Sequence, residues 1–243
     1  MAGGRSERAA TVDTGAVYER TRRAFVATMT AATEEQHEQR VPAAPDWSVR
    51  DVLAHVVGLA ADLNAQHFPD PDDLGGSAWA ARQVAQRRGA TLADVVAEWD
   101  REGPAFADVL RAFDYEFGSH FAADLHAHHQ DVRQALGLVR DDDAETVAVA
   151  LDHYLGFIDE LLVTEQWGAL EVVAGDEVHR LGSGAKRARL VAAPFEVLRA
   201  LAARRSERQV RALAWEGDVD AFVEFLRSGF TGGYALPVAD LVE

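Results

Sequence analysis

The first two thirds of the chain repeat one pattern, in which apolar residues recur at steps of three and four. Residues at those steps share one face of an α-helix, so the pattern predicts helices with a buried stripe. The longest stripe consists of Val147, Leu151, Tyr154, Ile158, Leu161 and Leu162. The same spacing predicts helices over about 14–40, 48–67, 77–113, 118–136 and 143–164. We therefore expect a mainly α protein.

Capping signals and helix breakers predict where these helices begin and end. A Ser or Thr followed three residues later by an acidic side chain is typical of a helix start. Two such pairs are present, Ser48 with Asp51 and Thr91 with Asp94. Pro42 and Pro45 are expected to end the first helix, and Gly89 to interrupt the third segment. Pro104 is expected to kink or break that segment again.

The sequence pattern changes near residues 166–168. Short strand-like runs follow at 169–173, 177–181 and 187–191, separated by glycine-containing turns. Helices are predicted over 194–205, from a cap formed by Ser206 and Gln209, and over 218–227. The chain is thus expected to contain a disordered tail (1–13), a helical domain (14–166) and a small α/β domain (167–243).

Composition excludes several classes of protein. The chain has 243 residues with 24 Lys+Arg against 40 Asp+Glu, a formal net charge of −16, which disfavours nucleic-acid binding. It contains no cysteine, which excludes disulfides, thiolate metal sites and a cysteine nucleophile. It has no apolar run of the ~18 residues that a membrane span needs, and its first residues lack the apolar region of a signal peptide. We therefore expect a cytoplasmic protein that binds neither nucleic acid nor membrane.

The predicted helix 118–136 carries an unusual concentration of histidine and aspartate. Residues four apart are neighbours on one helical face, about 6 Å apart. His120, Asp124, His128 and Asp131 therefore form one stripe. His126 and His129 point elsewhere and are interpreted as surface residues.

An imidazole and a carboxylate one helical turn apart can share a divalent metal, but a third ligand must come from another element. His55 is the best donor, because the apolar residues around it predict an inward face, where an imidazole needs a partner. The sequence therefore suggests a metal site formed by His55, Asp124 and His128. Two structural explanations stay open: His55 as a core histidine bonded to a backbone carbonyl, and the stripe as a solvated helix face.

Aromatic residues near these positions also allow two interpretations. Trp47 is interpreted as a hydrophobic staple at a helix entrance, with a pocket wall as the functional alternative. Phe117 and Phe121 precede the candidate ligands by one turn, and either wall a substrate pocket or pack the helices.

Two motifs resemble those of a known family. DWSVRDVLAHV (46–56) resembles the W-(T/S)-V-(R/K)-D-(V/L)-L-A-H signature of the DinB-like superfamily. HHQDVRQALG (128–137) is similar to H-x-x-D-(I/V)-R-x-x-L-G of its mycothiol-dependent maleylpyruvate isomerase branch. The stretch 194–218, with ARRS (203–206) and QVRAL (209–213), also resembles the C-terminal part of many members. The resemblance covers nearly the whole chain.

The resemblance implies a fold and a set of site residues. The fold is a DinB-like four-helix bundle followed by a small α/β domain, and the metal is usually zinc or nickel. Carried over to this sequence, the metal ligands are His55, Asp124 and His128. The branch usually has Glu where this chain has Asp124, and Asp131 is the substitute candidate. Asp131 could instead hold His128 in place, and Arg204, or its neighbour Arg205, matches the arginine that acts at the site.

The resemblance also implies an activity. Family members use mycothiol, a low-molecular-weight thiol, whose thiolate adds to a small electrophilic substrate and leads to isomerisation or S-transfer. The absence of cysteine fits a sulfur nucleophile that comes from a cosubstrate. Two other functions stay open: a metal-dependent hydrolase on the same bundle, and a non-catalytic binding or stress-response module.

Overall fold

The computed structural model describes residues 8–73, 76–228 and 236–243. The chain divides into two compact units. We call Asp13–Asp141 the bundle unit, and Asp142–Val242 together with Met1–Val12 the sheet unit.

Four long helices form the bundle unit. Its elements are α1 (Thr14–Ala31), α2 (Glu34–His37), β1 (Arg40–Val41), β2 (Ala44–Ser48), α3 (Val49–Asn64), α4 (Ser77–Arg87), α5 (Leu92–Ala112) and α6 (Tyr115–Ala135). Helix α3 packs on α5, α5 on α1, α1 on α6, and α6 on α3, which closes a ring of four helices. The shorter helix α4 also packs on α3. The expected four-helix bundle is confirmed.

The bundle core is aromatic as well as aliphatic. Phe25 meets Trp99 edge to face at 5.5 Å between ring centroids, and Trp99 donates its indole N–H to the Tyr18 hydroxyl at 3.0 Å. Satisfying that buried donor removes the cost of placing a tryptophan fully inside. No helix in the described part of the chain is long and apolar enough to cross a membrane.

The predicted helix starts are confirmed where capping boxes marked them. Ser48 and Asp51 form a reciprocal box at the start of α3, and Thr91 and Asp94 do so at the start of α5. The first helix is shorter than predicted, ending at Ala31 instead of near residue 40. A third box, in which Thr33 pairs with Gln36, begins α2 directly afterwards. The two prolines follow this box, Pro42 in the turn of the β1–β2 hairpin and Pro45 in β2.

The prediction that Pro104 breaks its helix is wrong. Pro104 lies inside α5, which runs without interruption from Leu92 to Ala112. Pro104 itself is exposed, while the adjacent Gly103 is buried against Arg22. The backbone hydrogen bond that proline removes is thus lost on the exposed side, and packing against α1 and α3 holds the helix together.

The sheet unit is a small α/β structure. Its elements are α7 (Ala144–Thr164), β3 (Ala169–Ala174), β4 (Glu177–Gly182), β5 (Lys186–Ala192), α8 (Pro194–Leu201), α9 (Glu207–Ala212), β6 (Ala214–Gly217) and α10 (Val219–Ser228). The strand order is β4-β3-β5-β6, with β3 and β5 parallel and both other pairs antiparallel. The three predicted strands are confirmed, and β6 was missed because only four residues form it. The capping box of Ser206 and Gln209 is also confirmed.

Two predicted boundaries differ from the structure. Residues 8–11 are helical, and Arg8 forms a bidentate ion pair with Asp152 at 2.7 and 2.8 Å. The prediction of a disordered tail is therefore wrong for residues 8–13, while residues 1–7 lie outside the described part. Helix α7, which the prediction assigned to the bundle, groups with the sheet unit because it packs on α8 and β4.

Candidate metal centre

Two neighbouring helices bring three candidate ligands together. The Ser48 cap begins α3, and His55 lies in the middle of that helix. Asp124 and His128 lie one turn apart on α6, which packs on α3. The ligand atoms of His55, Asp124 and His128 all lie within 4.8 Å of one another. Among the described residues, no other group of three histidine or acidic side chains converges in this way.

The spacing of these atoms fits a divalent cation. Zinc binds imidazole nitrogen and carboxylate oxygen at about 2.0–2.2 Å, so two ligands of a tetrahedral ion lie about 3.4 Å apart. His128 Nε2 and Asp124 Oδ1 are 3.5 Å apart. This distance is longer than a charge-assisted hydrogen bond of about 2.8 Å and close to the spacing of two ligands on one ion. The two imidazole rings meet edge to face, with centroids 4.9 Å apart.

The protonation states of the site also suit a cation. Burial, with a smaller effect of nearby His128, lowers the pKa of His55 to about 4. Burial by itself would raise the pKa of Asp124, but His128, His55 and His120 together hold it well below its usual range. At neutral pH His55 is therefore neutral and Asp124 is ionised, which are the forms that bind metal.

A buried glutamine contacts the outer nitrogen of His55. Gln83 on α4 lies 2.8 Å from His55 Nδ1 through its Oε1 atom. Its amide nitrogen donates to Asp62 Oδ2 at 3.0 Å. The sequence did not indicate Gln83, because no spacing rule relates a residue on α4 to one on α3, and Asp62 on α3 reaches His55 only through Gln83.

The sequence analysis left the aromatic residues open as pocket walls or as packing residues, and the structure shows what each of them contacts. The Trp47 ring lies 4.9 Å from His55 and 6.4 Å from His128, measured between centroids, and so covers both imidazoles. Phe117 and Phe121 pack against the hydrophobic core of the bundle and against each other at 4.9 Å. Trp47 is thus a wall of the candidate site, and the two phenylalanines contribute to bundle packing.

His126 and His129 are not surface residues, as the sequence analysis expected. Both are buried, because α6 packs on α1 as well as on α3. His129 stacks on Phe25 at 5.1 Å and its Nε2 lies 3.1 Å from the Thr28 hydroxyl. Burial, with a contribution from Arg133, lowers the pKa of His129 to about 3. His129 is therefore a neutral core histidine.

Comparison with known families identifies the bundle. A family model described as the mycothiol maleylpyruvate isomerase N-terminal domain matches residues 18–133, which include all three candidate ligands. The bundle is therefore similar to a mycothiol maleylpyruvate isomerase N-terminal domain. The resemblance seen in the two helical motifs is confirmed.

Solved structures with the same fold cover more of the chain. A crystal structure of the mycothiol-dependent maleylpyruvate isomerase matches with a TM-score of 0.51 at 13% identity, covering 79% of this chain and 88% of that one. A histidine-to-alanine mutant of that isomerase matches with a TM-score of 0.53 at 12% identity, covering 84% and 91%. At this identity the likeness shows a shared fold. No curated protein matches the chain in sequence.

Asp131 lies on the same helix as two of the candidate ligands but outside the converging group. Asp131 is fully buried on α6, and the converging group contains Asp124 instead of Asp131. Within the described residues, His128 Nδ1 is buried and has no hydrogen-bond partner. Asp131 therefore does not hold His128 through a direct hydrogen bond.

The two candidate arginines of the family resemblance lie in the sheet unit and differ in their contacts. Arg205 binds both carboxylate oxygens of Glu196, at 2.9 and 3.0 Å. Arg204 donates to the Ala202 carbonyl at 3.0 Å. Both are buried, so the alternative of a solvated helix turn is wrong: Ala203, with φ of 54°, ends the helical segment and turns the chain back. The Arg205 guanidinium is thus held by Glu196 within the sheet unit.

Proposed function

We propose that this protein is a metal-dependent enzyme that uses mycothiol as the nucleophile toward a small electrophilic substrate. The product is an isomer of that substrate or its S-conjugate. The observation that carries the proposal is the convergence of His55, Asp124 and His128 inside a mycothiol maleylpyruvate isomerase N-terminal domain.

The three side chains are the proposed ligands of a divalent ion, zinc or nickel. Two neutral imidazoles and one carboxylate leave a net charge of about +1 on such an ion, and three protein ligands leave coordination positions open, as in catalytic sites. Bound there, the ion supplies the Lewis acidity that keeps a thiol deprotonated at neutral pH. Asp131 and Arg204 stay proposed as supporting residues, Arg204 toward the substrate.

The residues of the chain itself prepare the site for a thiolate. Low basicity keeps His55 in the neutral, ligating form at neutral pH. Trp47 covers the two imidazoles and limits the access of water to them. With no cysteine in its 243 residues, the chain offers no thiol of its own, so the nucleophile must come from a cosubstrate.

The proposed reaction balances without an oxidant or reductant. The thiolate sulfur forms a bond to an electrophilic carbon of a double bond conjugated with a carbonyl group, and the π electrons move onto the carbonyl oxygen. Rotation about the resulting single bond, followed by loss of the thiolate, restores the double bond in the other geometry. Protonation of the adduct in place of that loss gives the S-conjugate.

A thiol-dependence assay tests this proposal. Metal-loaded protein is mixed with maleylpyruvate, and loss of the cis isomer is followed with and without mycothiol. We expect turnover with the thiol, and none without it or in the His128→Ala variant. His67→Ala, which changes an exposed histidine outside the centre, is the matched control and should retain activity. Turnover without thiol would favour the hydrolase, and binding without turnover of any electrophile would favour the non-catalytic module.

A further inference from the structure

A chain of three buried polar side chains runs from the centre toward α4. His55 Nδ1 lies 2.8 Å from Gln83 Oε1, and Gln83 Nε2 donates to Asp62 Oδ2 at 3.0 Å. Gln83 is fully buried, while His55 and Asp62 are 9% and 8% exposed. Buried polar groups of this kind are stabilising only when each donor meets an acceptor.

The chain of hydrogen bonds has one consistent direction. The NH2 group of Gln83 faces Asp62, because Gln83 Nε2 donates to Asp62 Oδ2 and an amide nitrogen can only donate. The amide oxygen of Gln83 must then face His55. This oxygen can only accept a hydrogen bond, so Nδ1–H of His55 donates to it. The reverse orientation of the amide would place its oxygen against the carboxylate of Asp62. His55 is therefore protonated on Nδ1, and the lone pair lies on Nε2.

Backbone and side-chain packing fix Gln83 in this orientation. Gly58 on α3 lies directly beneath it, and a Cβ atom there would come within 2.5 Å of Gln83 Cβ and 2.7 Å of Arg87 Nη1. Arg87 donates to the backbone carbonyl of Gln83 at 3.1 Å and pairs with Glu98. The close approach of α4 to α3 therefore holds the amide against His55.

We propose that Gln83, held by Asp62, is a positioning residue that selects the Nδ1–H tautomer of His55 and thereby makes Nε2 the metal-binding atom. The usual outer partner of a ligating imidazole is a carboxylate or a backbone carbonyl. Here the outer partner of His55 is a neutral amide. The carboxylate of Asp62 contacts that amide and does not contact His55 directly. The consequence for metal affinity rests on the proposed function, whereas the tautomer assignment does not.

The tautomer is measured directly in metal-free protein. With 15N-labelled histidine at pH 7.5, long-range 1H–15N correlation distinguishes a protonated Nδ1 from a protonated Nε2, and the His55 signals are those absent from His55→Ala. We expect Nδ1–H for wild-type His55 and a shift of the population toward Nε2–H in Gln83→Met. A wild-type spectrum with protonated Nε2 would overturn the proposal without any variant.

A swap of the two partners tests the direction of the chain. Gln83→Met removes the acceptor that faces Nδ1 and should weaken zinc binding about 10- to 100-fold, the usual effect of losing an outer partner. Gln83→Glu keeps an acceptor for Nδ1–H but opposes the Asp62 carboxylate, so it should keep the Nδ1–H spectrum and lower the melting temperature. Asp62→Asn/Gln83→Glu restores a donor facing an acceptor on both sides, so it should recover the melting temperature. Equal zinc affinities for wild type and Gln83→Met would contradict the proposal.

A matched control separates positioning from general loss of packing. Asn64 on α3 donates to the Glu102 backbone at 3.0 Å, nine residues along the helix from His55. Asn64→Leu should lower the melting temperature and leave both the zinc affinity and the His55 spectrum unchanged. Absence of zinc binding in wild type with the expected His55 tautomer would instead refute the proposed function and leave the positioning role standing.

Discussion

Asp124 is the carboxylate of the candidate centre, and its side chain is one methylene shorter than the glutamate usual in the resembling branch. Asp124 Oδ1 nevertheless comes within 3.5 Å of His128 Nε2, because the two residues lie one turn apart on a single helix. The sequence spacing was sufficient to predict this pair. The spacing did not exclude Asp131, which stayed the substitute candidate, and the structure places it outside the converging group.

Lengthening the Asp124 side chain tests whether it ligates directly. Asp124→Glu extends the carboxylate by about 1.5 Å, so we expect zinc affinity to be kept or increased, while Asp124→Asn removes the charge and should lower it at least 10-fold. Competition with a chromophoric chelator measures both. Asp108→Glu, at an exposed position on α5, is the control. Complete loss of metal in Asp124→Glu would mean that the site fits only the shorter side chain.

The lowered pKa of His129 predicts how the stability of the metal-free bundle depends on pH. Its pKa falls from 6.5 to about 3 on folding, so the unfolded chain binds the proton first as the pH is lowered. Stability is therefore full above about pH 6.5 and is lost as the pH falls toward 3, by about 1.4 kcal/mol per pH unit for each such group.

Thermal melts between pH 7.5 and 4.5 in the presence of a chelator measure this dependence. His129→Gln cannot take up the proton, so its melting temperature should fall less steeply with decreasing pH than that of wild type. His67→Gln, at an exposed position, should keep the wild-type slope. Equal slopes for wild type and His129→Gln would contradict a neutral buried His129.

At the scale of elements, local chemistry predicted where helices begin better than how they are arranged. Ser48 with Asp51 and Thr91 with Asp94 are local signals, and both form the expected caps. The uninterrupted helix through Pro104 and the burial of His129 depend instead on packing against neighbouring helices. Gln83 belongs to the same class, since its contact with His55 depends on how closely α4 approaches α3.

Gly58 on α3 allows α4 to pack closely against α3, because it has no side chain. Gly58→Ala places a methyl group about where the Gln83 and Arg87 side chains lie, so α4 must move outward. We expect a loss of about 1–3 kcal/mol in stability together with weaker zinc binding, measured by unfolding and chelator competition. Gly89→Ala, which meets no atom within 4 Å, is the control and should change neither. Unchanged zinc affinity in Gly58→Ala would show that the position of α4 does not matter to His55.

At the scale of the whole molecule, the chain combines a strongly acidic composition with the complete absence of cysteine. Because the chain contains no cysteine, the thiol of the proposed reaction has to come from a cosubstrate. The sequence predicted the two-part architecture, but the grouping of α7 with the sheet depends on tertiary contacts that no local pattern encodes.

The sheet unit is expected to contribute Arg204 to turnover. Arg204→Ala should lower kcat with mycothiol and maleylpyruvate at least 10-fold while the metal content stays at the wild-type level, because Arg204 is not among the proposed ligands. Arg227→Ala, which removes an exposed arginine of the same unit, is the control. Unchanged kinetics in Arg204→Ala would make this buried arginine a structural residue like Arg205.

The metal content of the purified protein shows whether His55, Asp124 and His128 bind a divalent ion. Wild type, His55→Ala and His67→Ala are purified without a histidine tag, supplied with zinc or nickel, freed of unbound metal and analysed by plasma mass spectrometry. We expect about one divalent ion per chain in wild type and His67→Ala, and none in His55→Ala. Wild-type protein that takes up neither metal, or a His55→Ala variant that retains a full equivalent, would contradict it.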